Sequence, residues 1–433
     1  MAIKKPDLTS NTGGIISPNP FWLASAPPTN SGPQIMRAFE AGWGGAVWKT
    51  LGQPIQNVSS RFGALNYGGK RAIGFNNIEL ITDRPLESNF REIAEVKREF
   101  PNHAVIVSLM VETEQEWEDI IARSVDAGAD GLELNFGCPH GMCERGMGSA
   151  VGQEPVVNER ITSWAKKYAE KYRPGLPVLV KLTPNVGDIL PHGHAAQKGG
   201  ADGVSLINTI KSIIGVDIDN FVPYPTVGGM STNGGYCGAA VKPIAMHMVG
   251  QLARDPGFNI PISGIGGIAN WRDAVEFILM GSASVQVCTE VMLKGYRIVE
   301  DMIDGLEQYM IDKGFENLDQ MVGKAIPTYS DWGNLDLNYE IVAKIDADKC
   351  IGCYDCVAAC QDGAHQCIFP DESLGKRVPR IDESECVGCN LCQIVCPVPD
   401  CISMVEVDNG HSPATWNQHL AGEGTLRYKK GSH

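Results

Sequence analysis

Cys350, Cys353, Cys356 and Cys360 follow the spacing C-x2-C-x2-C-x3-C. Cys386, Cys389, Cys392 and Cys396 repeat it, with Pro397 directly behind the last. Three thiolates on one tight loop can reach three corners of an iron–sulfur cubane, and the fourth corner is filled from the other run. The spacing therefore predicts two interlocked 4Fe–4S clusters. One would sit on Cys350, Cys353, Cys356 and Cys396, the other on Cys386, Cys389, Cys392 and Cys360. Structural zinc sites use two C-x2–4-C pairs rather than triplets, which speaks against zinc. Gln361 stands where proline often follows the fourth cysteine, a change that touches the local turn more than ligation. Cys367 and Cys401 lie off the pattern and read as buried thiols rather than ligands.

Clusters of this kind pass electrons singly, whereas carbon substrates usually exchange them in pairs, and a flavin is the usual converter between the two. The large N-terminal part offers residues that suit one. Lys49 ends one apolar strand and Lys181 ends another, in "LVKLTPN". Each could be a snorkelling surface lysine. At the C-terminal end of a barrel strand, where active sites collect, each could instead stabilise the negative charge of a reduced isoalloxazine. Further on, "SGIGGIAN" places Gly266 and Gly267 after a seventh strand, and an eighth ends at Cys288 and Thr289. The loops after strands 7 and 8 are the usual phosphate site of a barrel. Cys138 opens the glycine-rich segment LELNFGCPHGMCERGMGSAVG, which has the character of an active-site lid. A lone cysteine is often a small buried hydrophobe. A thiol with a pKa of about 8.5 also suits the protonation of a carbon held beside a flavin. Cys143, in the same segment, has no assigned role.

The elements that must position these residues come from the hydrophobic pattern. Candidate strands cover Phe21–Ala26, Gly45–Lys49, His103–Leu109, Asp130–Asn135, Pro177–Leu182, Asp202–Asn208, Ile260–Gly264 and Ala283–Cys288. Helical stretches such as Leu86–Phe100, Glu114–Ala127, Val156–Tyr172 and Trp271–Met280 lie between them. Eight such alternations over roughly 300 residues predict an α/β fold of the (β/α)8 TIM-barrel type, with an open doubly wound sheet as the alternative. IDADKCIGCYDC and IDESECVGCNLC then repeat, Ile345 matching Ile381. The repeat predicts a small pseudo-symmetric, ferredoxin-like α+β domain. The expected domains are a catalytic barrel over 1–320, a linker over 321–340, the two-cluster domain over 341–410 and a tail over 411–433.

Composition narrows the function class. With 36 Lys+Arg against 51 Asp+Glu the formal charge is −15, so nucleic acid and anionic membrane surfaces are poor partners. The N-terminus has no apolar h-region, and no apolar run approaches a membrane span. Fourteen cysteines read as cluster ligands and reduced thiols rather than disulfides, which predicts a cytoplasmic protein.

The runs "FWLASAPPT", "AFEAGWGGAVWKT", "NNIELI", "LELNFGCPHGM", "KLTPN", "INT" and "GGIAN", with the duplicated cluster motif, resemble the dihydropyrimidine dehydrogenases. Their barrel is related to that of the dihydroorotate dehydrogenases. The match covers about residues 15–405 and extends to the FMN/iron–sulfur subunit of the bacterial NAD-dependent enzyme. It implies reversible reduction of uracil and thymine to 5,6-dihydropyrimidines in pyrimidine degradation. Hydride would pass from FMN N5 to ring C6 while Cys138 gives a proton to C5. It further implies that Asn77, Asn135, Asn208 and Thr209 bind the pyrimidine. Ser25, Lys49, Thr50 and Lys181 would contact the flavin ring or ribityl chain, and Gly238, Gly266, Gly267, Cys288 and Thr289 would surround its phosphate. Gly137 departs from the family, whose members often carry serine before the cysteine.

No strand–GxGxxG–helix unit with a following acidic residue is present, so nothing here predicts a nicotinamide or FAD dinucleotide fold. Electrons from NADH are therefore expected through a separate FAD-containing, NADH-oxidising subunit and the two clusters. The family expectation is a heterotetramer of two catalytic and two partner chains. A biosynthetic dihydroorotate dehydrogenase, a non-catalytic electron-transfer module and a sensor with labile clusters, which lacks a recognisable output domain, are the competing readings.

Overall fold

The computed structural model describes residues 5–67, 69–138, 147–373 and 375–427. They form two compact units, Met1–Tyr329 and Ser330–His433.

The first unit is a closed barrel of eight parallel strands. They are β1 (Phe21–Leu23), β2 (Gly45–Leu51), β3 (Ala104–Leu109), β4 (Gly131–Asn135), β5 (Val178–Lys181), β6 (Gly203–Leu206), β7 (Ile262–Ile265) and β8 (Ser282–Val287). The strands run in chain order around the ring, and β5 pairs with β6 at Lys181 and Ser205. Each is followed by a helix: α1 (Gly32–Ala41), α2 (Leu86–Glu99), α3 (Glu114–Asp126), α4 (Pro155–Tyr172), α5 (Leu190–Lys198), α6 (Lys242–Arg254), α7 (Trp271–Leu279) and α8 (Ile298–Lys313). The predicted TIM barrel is thus the fold, and the open sheet is not.

Side chains alternate along each strand, so one set faces the helices and the other the barrel axis. Ala46 and Trp48, Leu132 and Leu134, Val178 and Val180, and Val285 and Val287 belong to the large core that includes the helices. Their sequence neighbours Lys49, Glu133, Lys181 and Gln286 are buried and polar. Burying one large apolar side chain contributes about 1.5–3 kcal/mol, so the outward set fixes the register and thereby aims the polar set inward. Local signals set the helix ends. Thr113 caps α3 with Glu116, and Asn270 caps α7 with Asp273.

A second sheet was not foreseen from the sequence. Ile210–Ser212, Gly234–Cys237, Lys70–Asn77 and Phe62–Tyr67 pair antiparallel in that order. Its strands come from the connections β2–α2 and β6–α6, so two segments far apart in sequence join at the C-terminal side of the barrel.

The second unit pairs Ile341–Ile345 with Ile402–Glu406, and Ile368–Phe369 with Arg380–Ile381. Helices cover Asp355–Gly363 and Leu391–Val395. The first strand of each repeat therefore pairs with the last strand of the other. The step between units, at Tyr329 and Ser330, lies within the stretch read as a linker. Asn338 in that stretch is buried. It donates to the carbonyls of Ser412 and Thr425 at 2.7 and 3.0 Å, which binds it to the tail, where a short helix covers Trp416–Leu420. Among the described residues no helix is long and apolar enough to cross a membrane.

Candidate active site and cluster sites

At the C-terminal ends of the barrel strands lies a cavity of about 1270 Å³, counted with its open mouth. Ser25, Lys49, Thr50, Asn77, Asn135, Cys138, Lys181, Asn208, Thr209, Gly238, Gly266, Gly267, Cys288 and Thr289 all line it. Every barrel residue singled out from the sequence is therefore brought to one place.

The two lysines are not surface residues, being 3 % and 6 % exposed. Each faces a carboxylate. Lys49 Nζ donates to Glu79 Oε1 at 2.6 Å, and Lys181 Nζ lies 3.7 Å from Glu133 Oε1. Glu133 is fully buried. Its other oxygen accepts from Ser205 Oγ at 2.7 Å and Gln286 Nε2 at 3.0 Å. An unpaired charge in such surroundings costs several kcal/mol, so each pair keeps a cation at the cavity that could not otherwise stay there. Sequence reasoning missed Glu79, Glu133 and Gln286. The available signal for Glu133 was an acid inside the apolar strand "GLELN".

The amides form one connected group. Asn208 Nδ2 donates to Asn135 Oδ1 at 3.0 Å, and Asn135 Nδ2 donates to Thr50 Oγ1 at 3.0 Å. Thr50 Oγ1 also lies 3.1 Å from Ser25 Oγ and 2.9 Å from Ser108 Oγ. Asn208 Oδ1 accepts from its neighbour's amide, Thr209 N, at 2.8 Å. Asn77, on the second sheet, donates to the Gly235 carbonyl at 3.1 Å. Chains of this kind hold amide groups in one orientation, with donor and acceptor edges defined. Asn76, the adjacent residue, is turned to Ser212 Oγ at 2.8 Å instead. Cys138 is 8 % exposed and packs in a cluster with Ile81, Met110 and Met147 while lining the cavity. The rest of the expected lid, 139–146 with Cys143, lies outside the described residues.

On the other side, Gly238, Gly266 and Gly267 have φ of 90°, 134° and 75°, values that side chains rarely adopt. A Cβ on Gly267 would stand 2.8 Å from Lys242 N and 2.9 Å from Gly238 O. The two glycine loops therefore meet as bare backbone, which is what close approach to a phosphate needs. Burial pushes the Cys288 thiol up to about 12, with Cys237 adding to the shift. Burial likewise pushes Cys237 up to about 11. Both are neutral at ordinary pH and leave the field to the lysines. Two buried cations and a side-chain-free cradle in one cavity fit a flavin mononucleotide.

In the second unit, Cys360, Cys386, Cys389 and Cys392 line one cavity, and Cys350, Cys353, Cys356 and Cys396 line another. Each cavity thus takes three cysteines from one run and one from the other. Burial, with neighbouring thiols adding, pushes Cys356 up to about 11. Burial also pushes Cys392 up to about 11. Such thiols become thiolates only against the charge of a bound metal. The donor sets fit two 4Fe–4S clusters.

The dihydroorotate dehydrogenase family matches residues 8–310, and a 4Fe-4S dicluster domain matches residues 343–404. The NAD-dependent dihydropyrimidine dehydrogenase subunit PreA of Escherichia coli K12 is 44% identical over 403 residues, 93% of this chain and 96% of that one. The chain belongs to the PreA family. Chloroplastic dihydropyrimidine dehydrogenase (NADP(+)) of Arabidopsis thaliana is 38% identical over 76% of the chain and 79% of its own length. The catalytic subunit of dihydroorotate dehydrogenase B (NAD(+)) from Pyrococcus horikoshii is 36% identical over 72% of the chain and 96% of its own length. This PreA-family chain is an oxidoreductase, with FMN as the cofactor of its barrel and two 4Fe–4S clusters in its second unit.

Proposed function

We propose that the chain reduces uracil and thymine, reversibly, to 5,6-dihydropyrimidines in pyrimidine degradation. The observation that carries this reading is the placement of Cys138 with Asn77, Asn135, Asn208 and Thr209 around the cavity that holds Lys49 and Lys181. The Escherichia coli relative is named a dihydropyrimidine dehydrogenase subunit, which supports a pyrimidine as the substrate class. FMN, held in this cavity, would supply hydride chemistry toward ring C6. Asn77, Asn135, Asn208 and Thr209 hold the ring by its amide-like edges, where each side-chain amide offers a donor and an acceptor. Cys138 gives its proton to C5, so that hydride and proton together saturate the C5–C6 double bond, and solvent restores the thiol. Lys49 and Lys181 place positive charge beside the flavin ring, Ser25 and Thr50 bind it or its ribityl chain, and Gly238, Gly266, Gly267, Cys288 and Thr289 hold its phosphate.

Cys350, Cys353, Cys356 and Cys396 hold one cluster in this reading, and Cys386, Cys389, Cys392 and Cys360 the other. Electrons reach them from NADH through an FAD-containing partner subunit, in an assembly of two catalytic and two partner chains. The protein works in the cytoplasm, where thiols stay reduced. Orotate is the rival substrate, favoured by the 36% identity to a dihydroorotate dehydrogenase subunit. Its carboxylate would want a cation, and Lys49 and Lys181 are already paired with Glu79 and Glu133.

An anaerobic assay of the purified holoprotein tests the proposal, with reduced methyl viologen or NADH as donor and uracil, thymine or orotate as acceptor. Turnover of uracil with viologen alone, and with NADH only when the partner is added, is the expected result. Faster turnover of orotate, or no pyrimidine turnover by protein loaded with FMN and iron, would overturn the substrate assignment. Rapid NADH oxidation by the chain alone would overturn the partner.

A further inference from the structure

Each cluster cavity is lined by a fifth cysteine, Cys367 in one and Cys401 in the other. Cys367 is 4 % exposed, and its Sγ lies 3.6 Å from the Sγ of Cys360. Its backbone N–H also donates to that sulfur at 3.4 Å. Cys360 is the residue that its own run sends across to the other run's cavity. Cys401 directs its thiol to the carbonyl of Asp346 at 3.7 Å and also interacts with Cys396, the ligand that crosses into its own cavity. The internal repeat relates them in space, since each stands directly before the last strand of its repeat, Ile402 pairing with Ile345 as Ile368 pairs with Ile381. Cys360 is 5 % exposed, so donors supplied by the chain weigh heavily on the charge of its sulfur.

We propose that Cys367 is a potential-setting residue, its thiol donating a hydrogen bond to the Cys360 sulfur and so raising the reduction potential of the cluster on Cys360, Cys386, Cys389 and Cys392. Reduction adds negative charge that is shared with the ligand sulfurs, and a donor aimed at one of them stabilises the reduced state more than the oxidised one. Cys367 stays protonated in this role and is not a ligand. The inference rests on the cluster assignment above, which iron content tests separately.

The test is a pair of midpoint potentials, read by EPR-monitored titration of the intact holoprotein. Cys367→Ala removes the thiol donor and leaves the backbone N–H, and Cys367→Val does so with the volume largely kept. In both, one cluster should move to a more negative midpoint while the other stays in place. Cys367→Ser, which keeps a hydroxyl donor, should restore most of the shift. Unmoved potentials in the Ala and Val variants would overturn the proposal, as would equal shifts of both clusters or a Ser variant that behaves like Val. Iron content equal to that of the unmodified protein shows that ligation is intact. Loss of the cluster in all three variants would make Cys367 a ligand and overturn the proposal as well.

Discussion

Gly137 and Asn208 are in backbone-to-side-chain contact so close that a Cβ on Gly137 would stand 2.5 Å from Asn208 Nδ2. The Asn208 amide occupies the room that a side chain at position 137 would need, and from there it donates to Asn135. Gly137→Ala should push Asn208 away, at a cost on the order of 1–3 kcal/mol for forced overpacking. Expressed in kcat/KM for uracil, this is a loss of roughly five- to a hundred-fold, with FMN and iron contents unchanged. Steady-state kinetics of the holoprotein check it, and unaltered kinetics would show that Asn208 need not sit where it does.

Cys138→Ala should lower pyrimidine reduction by about 10²- to 10⁴-fold, the usual contribution of a placed general acid. The substitution removes little volume at the edge of the Ile81, Met110 and Met147 cluster, so flavin and cluster spectra should not change. A variant that keeps full activity would reduce the thiol to a packing residue, and a non-catalytic electron-transfer module would become the better reading.

Glu133→Ala should destabilise the barrel by about 3–5 kcal/mol, because it leaves the Lys181 ammonium buried without its counter-charge. Pairing Glu133→Leu with Lys181→Met should cost less than Glu133→Ala alone, since no charge is then stranded. Urea unfolding midpoints of the three proteins measure this. A double variant less stable than the single one would mean that the network through Ser205 and Gln286 matters more than the ion pair.

Cys237 and Cys288 are raised from an ordinary thiol value of 9.0 to about 11 and about 12 by burial. Their ionisation is therefore penalised in the folded state. The stability they contribute is complete below about pH 9 and is lost as pH climbs from there through 11 and 12. Unfolding midpoints between pH 8 and 11 should fall, and the fall should be shallower in a Cys237→Ala, Cys288→Ala double variant. Parallel curves for the two proteins would assign alkaline sensitivity elsewhere.

Because each cavity is lined by cysteines of both runs, losses of iron should combine by cavity and not by sequence under the proposed ligation. Cys396→Ala with Cys353→Ala should lose no more iron than either alone, whereas Cys396→Ala with Cys389→Ala should lose nearly all of it. The reverse pattern would show two clusters each bound within one run.

Cysteine spacing alone pointed to two clusters and to the grouping of cysteines that the fold brings to two cavities, because three ligands on one loop are a local arrangement that sequence distance describes. The barrel was also legible. Runs such as "PVLVKL" and "ASVQVC" are strands buried on the outer face, and their order is the order of the ring. Position in the barrel pattern singled out Cys138, Lys49, Lys181, Gly266, Gly267, Cys288 and Thr289, the resemblance added the other candidate site residues, and the fold gathers them at one cavity. Only tertiary structure decided the rest. The antiparallel sheet joins strands within 62–77 to strands within 210–237, partners far apart in sequence, and its edge strand Phe62–Tyr67 is largely exposed, so no periodicity announces it. Lys49 and Lys181 were compatible with the surface until the connection behind Lys70–Asn77 set Glu79 beside the first and a barrel strand set Glu133 beside the second. The contact of Gly137 with Asn208 joins the end of β4 to the end of β6, across β5. A missing side chain leaves no mark in a sequence that says what takes its place, and here the curvature of the barrel brings an amide there.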